Sequence, residues 1–212
     1  MLLFANLLGK MASPFIGTPI GSLSIVRQVW HWLWRIFGTK GSQLLDVQGF
    51  KTDPNDSAIS PQLLCRGCWE PFETELFKVL VKPSMTVVDI GANIGYYTLL
   101  ASMLVGVSGK VYAFEPFEGT YEILKRNIAI NGSQNITSIR KAVLNIVGDT
   151  RLYFSRFTPA CNSITGKGKF ALVPCTTLDE ELKGCKVDLI KKDIERADGI
   201  ALRGIPTIIQ DT

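Results

Sequence analysis

Apolar positions in the middle of the chain cluster in short β-branched runs separated by helix-forming stretches. Val87-Val88-Asp89-Ile90 is the most continuous of these runs and reads as a parallel strand buried on both faces. Gly91 and Gly95 follow, and then Tyr97-Thr98-Leu99-Leu100-Ala101-Ser102-Met103-Leu104, a helix-forming run. Strand, glycine turn and helix bring bare backbone and free helix N–H groups close to a nucleotide-like ligand. Lys110-Val111-Tyr112-Ala113-Phe114-Glu115 reads as a second strand ending in an acid. The pattern predicts a helix over 119–130 closed at Asn131-Gly132, a third strand over 136–143, and a β-rich excursion over 145–176 with strands at 151–154 and 170–175. Thr177 caps a helix start. A fourth strand follows at 187–190, a helix at 197–203 and a fifth strand at 207–209.

Upstream, Val26, Val29, Trp30, Leu33 and Phe37 share one helical face over residues 22–37, with Arg27, His31 and Arg35 on another. Such a helix either packs its apolar face on the domain or lies on an anionic membrane surface, making weak contact through its tryptophans. Residues 44–51 predict a strand, Asp53-Pro54-Asn55-Asp56 a turn, and 70–80 a helix with Pro71 in its first turn. Glu70 and Glu73 suit the dipole at that helix start. Met1 to Leu8 is apolar but too short to span a bilayer, and no basic segment precedes it, so neither a membrane span nor a signal peptide is expected. These boundaries give an amphipathic helical extension over 1–45 and a main domain over 46–212.

The chain has 212 residues, 46% hydrophobic and 20% charged, with net charge +4, enough for one globular domain with a substantial core. No long Lys/Arg run or RNA-binding aromatic motif argues for nucleic acid. Cys65, Cys68, Cys161, Cys175 and Cys185 are odd in number. Cys65-Arg-Gly-Cys68 lacks the second ligand pair a structural zinc site needs. Reduced thiols in a cytoplasmic chain, peripheral to the membrane if the 22–37 helix rests on it, are expected. A single histidine, His31, disfavours Ser-His-Asp and Cys-His chemistry.

The glycine turn narrows the ligand. Its spacing, Gly91-x-x-x-Gly95, departs from the dinucleotide G-x-G-x-x-G pattern. Asp89 just before it would repel a phosphate but suits a cation such as S-adenosylmethionine (SAM), which carries a sulfonium and an ammonium group. Glu115 lies about where an acid accepts hydrogen bonds from ribose hydroxyls. A nicotinamide-dependent oxidoreductase is thereby disfavoured.

Val88-Asp89-Ile90-Gly91-Ala92-Asn93-Ile94-Gly95-Tyr96-Tyr97-Thr98, then Ala113-Phe114-Glu115-Pro116, Thr177-Leu178-Asp179-Glu180, and Val187-Asp188-Leu189-Ile190-Lys191 with Asp193-Ile194-Glu195 resemble the FkbM family of SAM-dependent methyltransferases, from about Gly49 to Gly204. The resemblance implies an α/β class I methyltransferase fold, Rossmann-like and mostly parallel. It implies SAM as cofactor and methyl transfer to a hydroxyl of a small molecule, a sugar or glycan precursor among them. It places the cofactor on Asp89, Gly91, Asn93, Gly95, Tyr97, Thr98 and Glu115, with Lys141 and Ala142 beside the adenine. Asp193 and Glu195, at the fourth strand's end, are the candidate bases for the acceptor hydroxyl. The same pair could instead hold a divalent cation, although no metal site is assigned. Against the family pattern, Lys192 replaces an apolar residue and Arg196 a glycine. The sequence given also stops after the fifth strand, so a domain without the last two strands of that fold is expected. Both features point towards an impaired enzyme or a SAM- or partner-binding remnant as the alternative.

Overall fold

The computed structural model describes residues 44–53, 59–153, 164 and 168–193. The 22–37 helix, the turn residues 54–56, Glu195, Arg196, and the elements expected at 197–203 and 207–209 lie outside them. The chain divides after Pro71 into two compact units.

In the first unit, the single strand expected over 44–51 is instead a hairpin. Strands β1 (Leu45–Val47) and β2 (Phe50–Thr52) pair antiparallel, with Val47 opposite Phe50. Gln48 and Gly49 turn the chain at φ 53° and 89°. Two consecutive left-handed residues match the twist of a tight hairpin. Helix α1 (Ser60–Arg66), which hydrophobic patterning alone did not reveal, carries proline in its first turn and ends at left-handed Gly67. Gln48 donates from Nε2 to the Gly67 carbonyl, tying hairpin to helix end.

Among the described residues, the second unit is built on a four-stranded parallel sheet. Helix α2 (Pro71–Leu80) leads into β3 (Thr86–Ile90), α3 (Tyr96–Val105), β4 (Lys110–Phe114), α4 (Glu118–Asn131) and β5 (Ile136–Ile139). Strand β9 (Leu189–Lys192) then returns to the other side of β3, giving the order β5-β4-β3-β9. The sheet therefore switches direction at β3, and a ligand crevice opens beyond the strand ends at such a point. Val87, Val88 and Ile90 are at most 1% exposed, as a central strand covered on both faces requires. Val88, Ile90 and Phe114 pack on one face with Val143, Leu178, Leu182 and Val187, and Ala113 packs on the other with Ala92 and Leu124.

The expected third strand breaks. β5 ends at Ile139, the Lys141 amide bonds back to the Ile139 carbonyl, and β6 (Ala142–Val143) joins a separate three-stranded sheet with β7 (Gly148–Tyr153) and β8 (Phe170–Thr176). Buried Ala142, Leu144, Leu152, Val173 and Cys175 form that sheet's own core. Capping at Thr177 is as expected: its Oγ1 accepts from the Glu180 amide at 3.1 Å and opens the short α5 (Leu178–Glu181). No helix among the described residues is long and apolar enough to cross a membrane.

Asp188 fixes how β9 meets β3. Its Oδ2 accepts from the Thr86 amide at 2.8 Å, and this bond, aided by Lys186, holds its carboxyl below the usual aspartate range. The stability it contributes is full above the ordinary aspartate titration and is lost as pH falls through its lowered one. Asp188→Asn is therefore expected to cost about 1 kcal/mol at neutral pH. In urea titrations that difference should shrink in acid; one that persists unchanged at pH 2 would contradict the assignment.

Candidate functional site

The site grows from the carboxyl end of β3. Gly91, Asn93 and Gly95 all hold left-handed backbone, at φ 80°, 52° and 94°. The Gly91 and Ala92 amides both donate to the Phe114 carbonyl, and the Gly95 amide to that of Ala92. The turn is thus pinned to the end of β4 and hands the chain directly to α3. Asn127 donates from Nδ2 to the Ile94 carbonyl at 2.7 Å, supporting the turn from α4.

Two buried acids flank it. Asp89 is 1% exposed, and its Oδ2 accepts from Thr98 Oγ1 at 2.6 Å. Glu115 stands just past the end of β4. Its Oε2 accepts from the Asn93 amide at 2.9 Å, and its Oε1 from the Phe117 amide at 2.9 Å and Thr120 Oγ1 at 2.8 Å. Burial pushes the Glu115 carboxyl up. Its three hydrogen bonds pull it back, and the charge of Asp89 adds a smaller upward push. A carboxylate accepts about four hydrogen bonds, so Glu115 keeps room for roughly one more from a ribose. Its larger visible task is to clasp the turn to β4.

Tyr97 lies on α3 with its ring edge-on to Phe77 and Tyr96, while Tyr96 shares a hydrogen bond with Thr74 of α2. Asp193 follows β9, and its amide donates to the Ile90 carbonyl at 2.9 Å. The structure therefore places Asp89, Gly91, Asn93, Gly95, Tyr97, Thr98, Glu115 and Asp193 on or beside the carboxyl ends of β3, β4 and β9. Lys141 and Ala142 follow β5, whose Ile139 carbonyl receives the Glu115 amide. However, the Lys141 ammonium is tied to Glu181 at 2.6 Å, and Ala142 is buried in β6. Glu195 lies outside the described residues.

Sequence reasoning gave Lys191 no part in the cofactor site. Register pairs it with Asp89 across β3 and β9, so both side chains stand on one face of the sheet. Its position two residues before Asp193 was the available signal.

The profile of the methyltransferase FkbM domain matches residues 89–211, more than half of the chain. The chain belongs to the FkbM methyltransferase family. An FkbM domain with this strand order has the class I, Rossmann-like fold, and its cofactor is SAM. No curated protein matches the sequence.

Among solved structures, a SAM-dependent methyltransferase from Aquifex aeolicus is 28% identical, with a TM-score of 0.32 over 37% of this chain and 41% of its own. An rRNA methylase from Streptococcus thermophilus is 22% identical, with a TM-score of 0.30 over 34% and 41%. A SAM-dependent O-methyltransferase from Thermotoga maritima is 18% identical, with a TM-score of 0.34 over 52% and 44%. In each case the chain spans less than half of the neighbour's length. At these scores the overlays add nothing to the assignment, which rests on the family match and the order of the strands.

The residues present fit the cofactor. Asp89 Oδ1 and Asn93 Oδ1 are buried without a hydrogen-bond donor, one on each side of Gly91. Buried acceptors left open in this way call for a donor from a ligand. Among the described residues, no group of three or more His, Cys, Asp and Glu side chains is placed to hold a metal ion.

Proposed function

We propose that this chain transfers a methyl group from SAM to a hydroxyl oxygen of a small molecule, with sugars and glycan precursors as the acceptor class. The observation that carries the reading is the pair of buried acids, Asp89 and Glu115, bracketing the left-handed turn at the switch point of a parallel sheet. When bound, SAM supplies an electrophilic methyl group and departs as a neutral thioether. Asp89 offers its charge and its open Oδ1 to the cationic end of the cofactor. Asn93 offers Oδ1, and Glu115 its remaining acceptor site. The turn presents backbone without a bulky side chain at Gly91.

Asp193 takes the second role. Its side chain is 54% exposed, while its amide is fixed to the end of β3. It orients the acceptor hydroxyl and receives its proton as the oxygen attacks. General-base assistance of this kind is worth about 10² to 10⁴ in rate.

The test is transfer from radiolabelled SAM to a panel of sugars and other hydroxylated small molecules. Wild type is expected to methylate at least one acceptor, and Asp193→Ala to lose about a hundredfold or more in kcat with SAM affinity nearly unchanged. Equal turnover by Asp193→Ala would remove that residue from proton transfer. SAM binding with no hydroxyl acceptor methylated would overturn the O-methyltransferase reading.

A further inference from the structure

The sheet end carries a row of alternating charge: Asp89, Lys191, Asp193. Lys191 Nζ lies 3.5 Å from Asp89 Oδ1, 3.7 Å from Asp193 Oδ2, and 4.6 Å from the centre of the Tyr97 ring. Its side chain is 16% exposed, so the ammonium is held among these groups rather than dissolved in water. Its contact with Asp89 is an ion pair without hydrogen-bond geometry, which is why Asp89 Oδ1 still lacks a donor. The carboxylate that would anchor a cationic ligand is thus partly neutralised before any ligand arrives.

Resting on the methyltransferase reading, we infer that Lys191 is a specificity-determining residue whose fixed positive charge sets how the site weighs the sulfonium donor against its neutral thioether product. The two ligands share an α-ammonium group and an adenosyl part and differ by one positive charge at sulfur. Lys191 acts on that difference in two ways of the same sign. It repels a second cation directly, and it shares the negative charge of Asp89. Both weaken the hold on SAM more than the hold on S-adenosylhomocysteine. Methyl transfer disperses the sulfonium charge, so an interaction that disfavours the charge before reaction lowers the barrier rather than merely weakening binding. Tyr97 fixes where the ammonium sits, because the ring face attracts a cation.

Titration calorimetry of the full chain with SAM and with S-adenosylhomocysteine tests this on wild type, Lys191→Met, Lys191→Gln and Lys191→Arg. The ratio of the two affinities is unaffected by any misfolded fraction. Removing the charge is expected to raise the SAM-to-product ratio on the order of fivefold, as for one charge acting across a partly hydrated crevice. Lys191→Arg should keep the wild-type ratio. An unchanged ratio in both neutral variants, or an equal change in the arginine variant, overturns the inference. So does the loss of both ligands in both neutral variants, which would make Lys191 a prop of the fold. If wild type itself binds neither ligand, the methyltransferase reading fails first.

Discussion

Glu115→Ala should destabilise the domain by on the order of 3 kcal/mol and abolish measurable SAM binding. The carboxylate is 6% exposed and accepts from the Asn93 amide, the Phe117 amide and the Thr120 hydroxyl. Deletion leaves the Asn93 and Phe117 amides without this acceptor, each a charge-assisted bond lost and a desolvation cost left behind, while Thr120 Oγ1 keeps the Phe117 carbonyl. Relief of the burial of Glu115 itself offsets part of this. The sign of the pH dependence follows from the raised carboxyl. Stability from a group whose folded titration point is raised is fully present below its unfolded value and declines as pH rises through the folded one. The gap between wild type and Glu115→Ala should therefore narrow with rising pH across that window. Urea denaturation at several pH values reads both results. A variant within 0.5 kcal/mol, on the order of an ordinary surface change, would show that the clasp is not needed.

Gly95→Val should act through shape rather than charge. Gly95 holds φ 94°, and a Cβ there would come within 2.6 Å of Leu124 Cδ1. Leu124 is fully buried in the cluster with Ala92 and Ala113, so its methyl has little room to yield. Backbone strain and overpacking together amount to about 3 kcal/mol. That load falls on the turn that would receive the cofactor, and SAM affinity is expected to drop by about a hundredfold. Calorimetric titration, with circular dichroism to confirm folding, is the measurement. Wild-type affinity in Gly95→Val would mean that the cofactor does not depend on this turn.

The central strand, its turn and both acids were legible because their signals are local: a β-branched run, glycines at fixed spacing, and an acid ending the next strand. The hairpin was missed because Gln48-Gly49 lacks the Asn-Gly or Asp-Gly pair that marks such turns. Helix α1 is too short for an amphipathic pattern to emerge. The break between β5 and β6 was hidden because Arg140 and Lys141 interrupt an otherwise continuous run of strand formers without a glycine or proline. Lys191 escaped for a different reason. Its meaning comes from lying opposite Asp89, and strand register between distant segments is not written in either segment alone.

That register also bears on how the domain assembles. β3, β4 and β5 follow one another closely, but the bond from the Thr86 amide to Asp188 spans 102 residues. Contacts between distant segments must meet a loop-closure cost before they return any stability. A growing chain can therefore lay down the first three strands and their helices while the flank of β3 is still open. Until β9 arrives, Asp89 has Thr98 but no cation beside it. The docking of β9 both covers the open flank of β3 and neutralises a buried acid, so the electrostatic character of the strand ends is set late in folding rather than at its start.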